Sequence, residues 1–292
     1  MKCDLHVHTV HSGMCTLPWL HRVARESYNQ PEELYQLLKR RGMDLVTVTD
    51  HDSVDAAEAL RRHPDFFLSE EVTCQTPSGN SIHVGVYDIS ERDHIEIQRR
   101  RNDLEALAAY LGQRGLLFSI HHPFSAVTGR REAEDFDLAE ALFPAVETRN
   151  GQMLECSNHS SEDWARRTGK IGVAGSDGHT LAAPGKTYTE VSGARSKEEF
   201  LQGLRAGRGL AAGEMGSCWK LMQEIAGIGG GVLRENPALL PLVAFVPLFV
   251  LGNALPEMLF AYRWSRRLRA GSRIGGEIAC PPTPDRLWEP AQ

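Results

Sequence analysis

No C-x-x-C pair occurs anywhere in this chain, and its six cysteines (Cys3, Cys15, Cys74, Cys156, Cys218 and Cys280) are scattered. They form no disulfide framework, and reduced thiols in a cytoplasmic setting are expected. An excess of positive charge is also missing: 32 Lys and Arg face 38 Asp and Glu, for a net charge of -6. That balance argues against a surface built to coat extended DNA or RNA, while leaving room for a local basic pocket around one phosphate. There is no sequence repeat and no low-complexity tract. Met1 and Lys2 lead straight into a strand-like LHV, without the charged and apolar regions of a secretory leader.

What is present is ordinary for a folded chain: 292 residues, 41% hydrophobic and 24% charged, enough for one large core or a core with a small appendage. Short apolar runs alternate with amphipathic ones up to about Gly213. CDLHVH, DLVTVT, FFLSEEVTC, SIHVGVYD, LLFSIH, AVETRN and IGVAGS read as strands. Pro31 followed by EELYQLLKRR and Gly42 reads as a helix with proline in its first turn and glycine past its end. The stretch from Glu91 to Arg114 carries apolar residues at helical spacing, and SKEEFLQGLRAG offers a serine cap. Pro77, Ser78, Gly79 and Asn80 make a hairpin turn. Repeated βα units imply an α/β fold, either a barrel or an open sheet, and seven strands with one hairpin favour a distorted barrel.

The composition shifts beyond Gly216, which divides the chain into residues 1–215 and an extension over 216–292. Ala238 to Leu255 carries no charge and is followed by the basic RWSRRLRAGSR. Its length approaches a bilayer span, and the arginines match a cytoplasmic edge. Pro241 and Pro247 fit equally with an apolar hairpin packed on the barrel or on a partner. Both readings, membrane association and a packed tail, stand at this point. From Ile274 onward the PP and TP dipeptides suggest disorder.

The chemistry-bearing residues gather at strand ends. His6 and His8 lie two apart in one strand and therefore face one side. VTVTDHDS delivers Asp50, His51 and Asp52, and FFLSEEVT supplies Glu70 and Glu71 on opposite faces, so only one points inward. His83 sits among apolar neighbours, His121 and His122 precede Pro123, VETRNG gives Glu147 and Asn150, and SDGH gives Asp177 and His179. In a barrel such ends converge on one rim. Imidazole and carboxylate together select Zn, Mn or Fe, and one shared glutamate can bridge two ions.

In this order the motifs HVH, TDHD, EVT, IHV, HHP and SDGH resemble the polymerase and histidinol phosphatase (PHP) superfamily of metal-dependent phosphoesterases, from Asp4 to about Thr189. The resemblance implies a distorted (β/α)7 TIM-like barrel, here with a C-terminal hydrophobic helical extension, and two or three divalent ions at the rim. It implies that His6, His8, Glu71 and Asp177 hold one ion, and that Glu71, His83 and His122 hold its neighbour. His51 and His179 would serve a third ion or protonate the leaving group, with Asp50 beside them in the catalytic set. The chain departs from the family pattern at Gly13, where an aspartate is expected, and His11 and Cys15 are the nearest replacements.

Arg130, Arg131, Arg149 and Lys186 are the cations placed to meet a phosphate. The implied activity is hydrolysis of a small phosphorylated metabolite or nucleotide by a metal-bridged hydroxide. Two alternatives use the same residues. An amidohydrolase barrel would want a bridging lysine, and none stands at a strand end here. A non-catalytic interaction module would be expected to have lost more than one ligand position.

Overall fold

The computed structural model describes residues 1–15 and 21–269. In chain order the elements are β1 (Lys2–Cys3), α1 (Pro31–Arg40), α2 (Ala57–Leu60), β2 (Ser69–Gln75), β3 (Ser81–Tyr87), α3 (Glu91–Arg100) and α4 (Leu104–Gln113). There follow β4 (Leu117–Ile120), α5 (Ala133–Leu142), β5 (Ala145–Asn150), α6 (Glu155–Thr168), β6 (Ile171–Gly175), β7 (Thr187–Val191), α7 (Lys197–Arg205), β8 (Gly209–Gly213), α8 (Cys218–Glu235) and α9 (Val246–Arg269). Helix α1 starts at its proline and ends before Gly42, which takes φ +81°. The run from Glu91 to Arg114 is two helices rather than one, because Asp103 turns its carboxylate onto the Ala106 amide and caps a new start.

The fold is mixed α/β, but its strands do not close into a barrel ladder. Five form one sheet in the order β2-β3-β4-β5-β6, antiparallel through the expected hairpin and across β3–β4, then parallel. A separate antiparallel sheet has the order β1-β7-β8. The expected strands CDLHVH and DLVTVT are mostly extended chain, joined to their neighbours by single bridges: Val7 to Gly178, Val46 to Phe66 and His51 to Glu71. The reason lies in their side chains. Asp4 accepts the amides of His6, Ser176 and Gly185, and the Thr49 hydroxyl takes the Val7 amide, so side chains replace backbone pairing there.

These segments still alternate in the manner of strands. Leu5 and Val7 are fully buried in two apolar clusters, one with Leu117, Val173 and Phe200, the other with Leu34, Leu38 and Val48. His6 and His8 therefore turn the other way. The largest cluster joins residues of the five-stranded sheet, such as Val84 and Phe118, to residues of the helices, such as Leu107, Phe136 and Trp164, and extends to Trp264 of α9.

That contact settles where part of the C-terminal segment goes. Ala261 and Trp264 are buried, the Trp264 ring lies 4.6 Å from that of Phe136, and Ser265 meets the Ser160 hydroxyl at 2.6 Å. The expected apolar helix is not formed as such. The uncharged run is split between a 3-10 segment (Pro237–Phe245) and the first turns of α9, which continues through Glu257 and several arginines. Pro241 lies inside the 3-10 segment and Pro247 in the first turn of α9, where a missing amide hydrogen costs least. Among the described residues no helix is long and apolar enough to cross a membrane. Cys280 and the Pro-rich end from Ile274 lie outside the described residues.

Candidate metal centre

The site is assembled from the ends of the extended segments. The Leu5 amide donates to Ala174 O and the Thr49 amide to Val7 O, which lays His6 and His8 between β6 and the Val46–Thr49 chain. A Cβ at Gly175 would lie 2.3 Å from the His6 backbone nitrogen, so this close approach requires glycine. The Glu71 amide donates to Asp50 O and the Asp52 amide to Glu71 O, which sets His51 beside Glu71. The His121 amide donates to His83 O. Three of these chain ends take positive φ: Asp52 at 51°, His122 at 29° and Asp177 at 52°. Strained backbone of this kind, at residues without glycine's freedom, concentrates where side chains are held for function.

Glu71 is the centre. Its Oε2 lies 3.2 Å from His6 Nε2, 3.3 Å from His8 Nε2 and 3.3 Å from His51 Nδ1. Its Oε1 lies 3.2 Å from His83 Nδ1, 2.8 Å from His121 Nδ1 and 3.3 Å from His122 Nε2. Six imidazoles thus converge on one fully buried carboxylate. Asp177 adds a second pole, its Oδ1 3.5 Å from His6 Nε2, 3.4 Å from His8 Nε2 and 3.7 Å from His179 Nδ1. Glu70, its neighbour in sequence, faces the other side of β2 and accepts from His94 and Gln98.

This donor set fits divalent ions. Four groups of side chains bring potential ligand atoms within 4.8 Å of one another: His6, His8 and Asp177; His6, Glu71 and His121; His51, Glu71 and His83; and His8, His51 and His179. The ring nitrogens His122 Nδ1 and His179 Nε2 are buried without a hydrogen-bond partner, and His51 Nδ1 and His83 Nδ1 have Glu71 near but not aligned for a hydrogen bond. Unpaired buried polar atoms are costly, and a cation relieves both that cost and the crowding. The electrostatics agree. Burial depresses His51, His83, His121 and His179 below the usual imidazole range, His179 to about 4, and keeps them in the neutral form that can ligate. At His6 and His8 burial also opposes charge, but Glu71 and Asp177 outweigh it and raise both, His8 to about 9. Glu71 and Asp177 stay ionised well below the carboxylate range despite desolvation, because of the surrounding imidazoles, His6 foremost.

A further layer orients the ligand candidates. Glu147 Oε1 lies 2.7 Å from His6 Nδ1, and its Oε2 accepts the His122 amide and the Asn150 side chain. Asn150 also donates to Asp177 Oδ2 at 3.0 Å. The Tyr87 hydroxyl lies 2.9 Å from His121 Nε2. Asp50 accepts the Thr9 amide, the Thr9 hydroxyl and the Ser12 hydroxyl, and Ser12 Oγ in turn lies 3.0 Å from His8 Nδ1. Asp50 therefore reaches the cluster only through Ser12. His11 belongs to none of the four groups, and its amide bonds Thr9. The cations divide similarly: Arg149 is held by Glu162 and Gly213 O, Arg131 is buried against Ser81 O and Thr128, Arg130 is exposed, and Lys186 lines a separate recess.

Residues 156–208 match a family model described as PHP-associated. Among solved structures, 77% of this chain superposes on 68% of a two-domain protein from Bacteroides vulgatus ATCC 8482, described as containing a predicted PHP-like metal-dependent phosphoesterase, with TM-score 0.52 and 18% identity. The chain is thus similar to PHP-associated sequences over residues 156–208 and to a PHP-like protein in its fold. A curated relative, an uncharacterised protein of Methanocaldococcus jannaschii, is 24% identical over 139 residues, which are 47% of this chain and 77% of that one. The PsfC structure from Pseudomonas syringae PB-5123 covers 68% of this chain and 87% of its own, at 17% identity and TM-score 0.49.

Within this site, sequence reasoning passed over His121, which is nearer to Glu71 than His122 is, and gave no role to Glu147 or Tyr87. His121 carried the same strand-end signal as His122. Glu147 carried the signal of every other strand end. Tyr87, at the far end of β3 from the hairpin, carried none.

Proposed function

We propose that the protein hydrolyses phosphate esters of small molecules, using two or three divalent ions held around Glu71. The observation that carries this reading is the ring of six imidazoles within 3.3 Å of the Glu71 carboxylate. His6, His8, Glu71 and Asp177 would hold one ion, and Glu71 with His83 and His122 or His121 its neighbour. A third position is supported by His8, His51 and His179, which group without any contribution from Gly13 or His11. Zn, Mn and Fe all suit this donor set. When bound, such ions activate water and withdraw charge from the phosphoryl oxygens.

The chain's own residues supply the rest. His6, His8 and Glu71 are sealed at the back of the site, whereas the side chains of His51, His83 and His179 keep 16–17% of their surface. The ester must enter from that side. In the reaction a water oxygen bonds to phosphorus as the ester P–O bond breaks, and the departing alkoxide takes up a proton. His51 and His179 stand at the open edge where that proton is needed. The reading takes residues 1–215 as the hydrolytic unit, with the site at the ends of the extended segments rather than on a closed barrel rim. The scattered reduced cysteines favour a cytoplasmic setting. Retention of nine converging ligand candidates speaks against a non-catalytic module.

The test is hydrolysis of 4-nitrophenyl phosphate and bis(4-nitrophenyl) phosphate by protein supplied with Mn or Zn. Activity should vanish in His8→Ala and Asp177→Ala; activity unchanged by both substitutions contradicts the reading.

A further inference from the structure

The metal-ligand candidates all come from residues 1–215, yet two of the loops that carry them are held from beyond that range. The loop after β6 carries Asp177 and His179. No backbone carbonyl among the described residues takes the amides of His179 and Thr180. Both donate instead to Oε2 of the buried Glu224 on α8, at 3.2 and 3.0 Å, and the Thr180 hydroxyl donates to its Oε1 at 3.0 Å.

Helix α8 comes close enough to do this because of two glycines. A Cβ at Gly227 would lie 2.7 Å from Thr180 Cγ2, and one at Gly231 would lie 2.5 Å from the Tyr28 ring. Tyr28 in turn donates its amide to His179 O at 3.1 Å. Glu224, Gly227 and Gly231 follow helical spacing, so a single face of α8 lies on this loop and on its neighbour. Glycine weakens a helix interior, and here it permits the contact.

The loop after β4 is held in the same manner by α9. It runs from His121 and His122 to Ser125, whose amide donates to His122 O at 3.0 Å. The Ala126 amide and the Ser125 hydroxyl donate to Glu257 Oε2 at 2.7 and 3.1 Å. By spacing, Glu257 shares a face of α9 with the buried Ala261, Trp264 and Ser265. Phe124, in the same loop, stacks on Phe136 with 5.0 Å between ring centroids, and Phe136 meets Trp264.

Both loops contain a ligand candidate at positive φ, His122 at 29° and Asp177 at 52°. Such backbone persists only where surrounding contacts over-determine it. A carboxylate that accepts two or more donors from one loop supplies such contacts, and it acts on the loop rather than on an imidazole.

We propose that Glu224 and Glu257 are positioning residues of the metal centre, Glu224 for His179 and Glu257 for His122, so that the helices after Gly216 complete the site. The inference rests on the ligand assignment made under the phosphoester reading. His179 groups with His8 and His51, whereas His122 faces Glu71 Oε1, so the two glutamates support different ion positions.

Calorimetric titration of the full-length protein with Mn tests it. Glu224→Ala should weaken one ion roughly tenfold, the lower end of what outer partners of a ligand contribute, and leave the others unchanged. Glu257→Ala should weaken a different one. Glu224→Ala should add nothing to the loss caused by His179→Ala but should add fully to that caused by His122→Ala, and Glu257→Ala should do the reverse. Glu224→Met and Glu257→Met, which keep the volume without an acceptor, should match the alanine variants. Glu224→Gln and Glu257→Gln keep an oxygen for the loop amides and should restore most of the binding. Asp93→Asn, whose contacts lie elsewhere, controls for stability alone and should bind as the parent does. Parental binding in the alanine and methionine variants, or equal weakening of every ion, overturns the inference. Binding unchanged by His122→Ala and His179→Ala defeats the ligand assignment and this inference with it. Weakened histidine variants beside parental glutamate variants defeat this inference alone, and selective loss in a protein that hydrolyses no ester defeats only the phosphoester reading.

Discussion

Glu147 Oε1 lies 2.7 Å from His6 Nδ1, which leaves His6 Nε2 to face Glu71 and Asp177. A carboxylate behind a ligating imidazole fixes its tautomer and raises its basicity. Glu147→Gln keeps the shape but weakens that support, and metal affinity should fall by roughly 10- to 100-fold. Competition with a fluorescent chelator measures this directly. Equal affinity in the variant would mean that Glu147 has only a packing role.

Metal loading should depend on pH in one direction. His8 has a folded pKa raised to about 9 by Asp177 and Glu71 against the desolvation of burial, so it is protonated at neutral pH when no cation is present. Binding must displace that proton. Affinity therefore rises with pH from neutral toward about 9, and calorimetry in buffers of different ionisation enthalpy should detect proton release. Affinity independent of pH between 6 and 9 would count against this ligand assignment.

Asp50 acts through Thr9 and Ser12 rather than on substrate. Asp50→Ala removes a buried carboxylate that accepts three hydrogen bonds, and about 3 kcal/mol of stability should be lost in urea denaturation. Ser12→Ala should leave most of that stability but loosen His8. A fully stable Asp50→Ala protein with normal metal content would refute the positioning role.

Acid stability has a separate source, remote from the metal centre. Asp93 caps α3 through Ser90 and is paired with Arg114 and Tyr110. Although burial opposes it, these partners hold its carboxyl well below the usual range. Because the folded value is depressed, the contribution is complete above the unfolded pKa of about 3.9 and is lost as pH falls through the folded one. Asp93→Asn should therefore destabilise the protein near neutral pH, and the gap from the parent should narrow on acidification. A gap that is constant down to pH 2 would contradict the assignment.

Trp264 ties the end of the chain to the core. Trp264→Ala should cost about 3–5 kcal/mol as measured by chemical denaturation, the usual range for deleting a large buried aromatic. A loss below 1 kcal/mol would mean that α9 does not contribute to the folded core.

The sequence discloses the site better than it discloses the sheet. Alternation alone turns His6 and His8 away from Leu5 and Val7, and the two faces of β2 separate Glu71 from Glu70. Barrel closure is not legible in the same way. The segments at Leu5–His8 and Val46–Thr49 have strand-like patterns, yet Asp4 and Thr49 spend their side chains on backbone amides that a ladder would use. The choice between His121 and His122 is equally beyond pattern, because both rings reach Glu71 Oε1, at 2.8 and 3.3 Å, and strict alternation would have turned one of them away. The apolar run from Ala238 misleads by composition: it is divided between a 3-10 segment and α9, and α9 also carries the buried Ala261 and Trp264.

The central claim is that Glu71 organises divalent ions for phosphoester hydrolysis. The most direct measurement is elemental analysis of the purified protein and of Glu71→Ala, each folded by circular dichroism, alongside nitrophenyl phosphate turnover. The account predicts about two or three ions per chain in the parent, as in multi-metal hydrolytic sites, and loss of both metal and turnover in the variant. A parent chain that binds well under one ion after loading, or a Glu71→Ala variant that keeps its metal and its turnover, would contradict it.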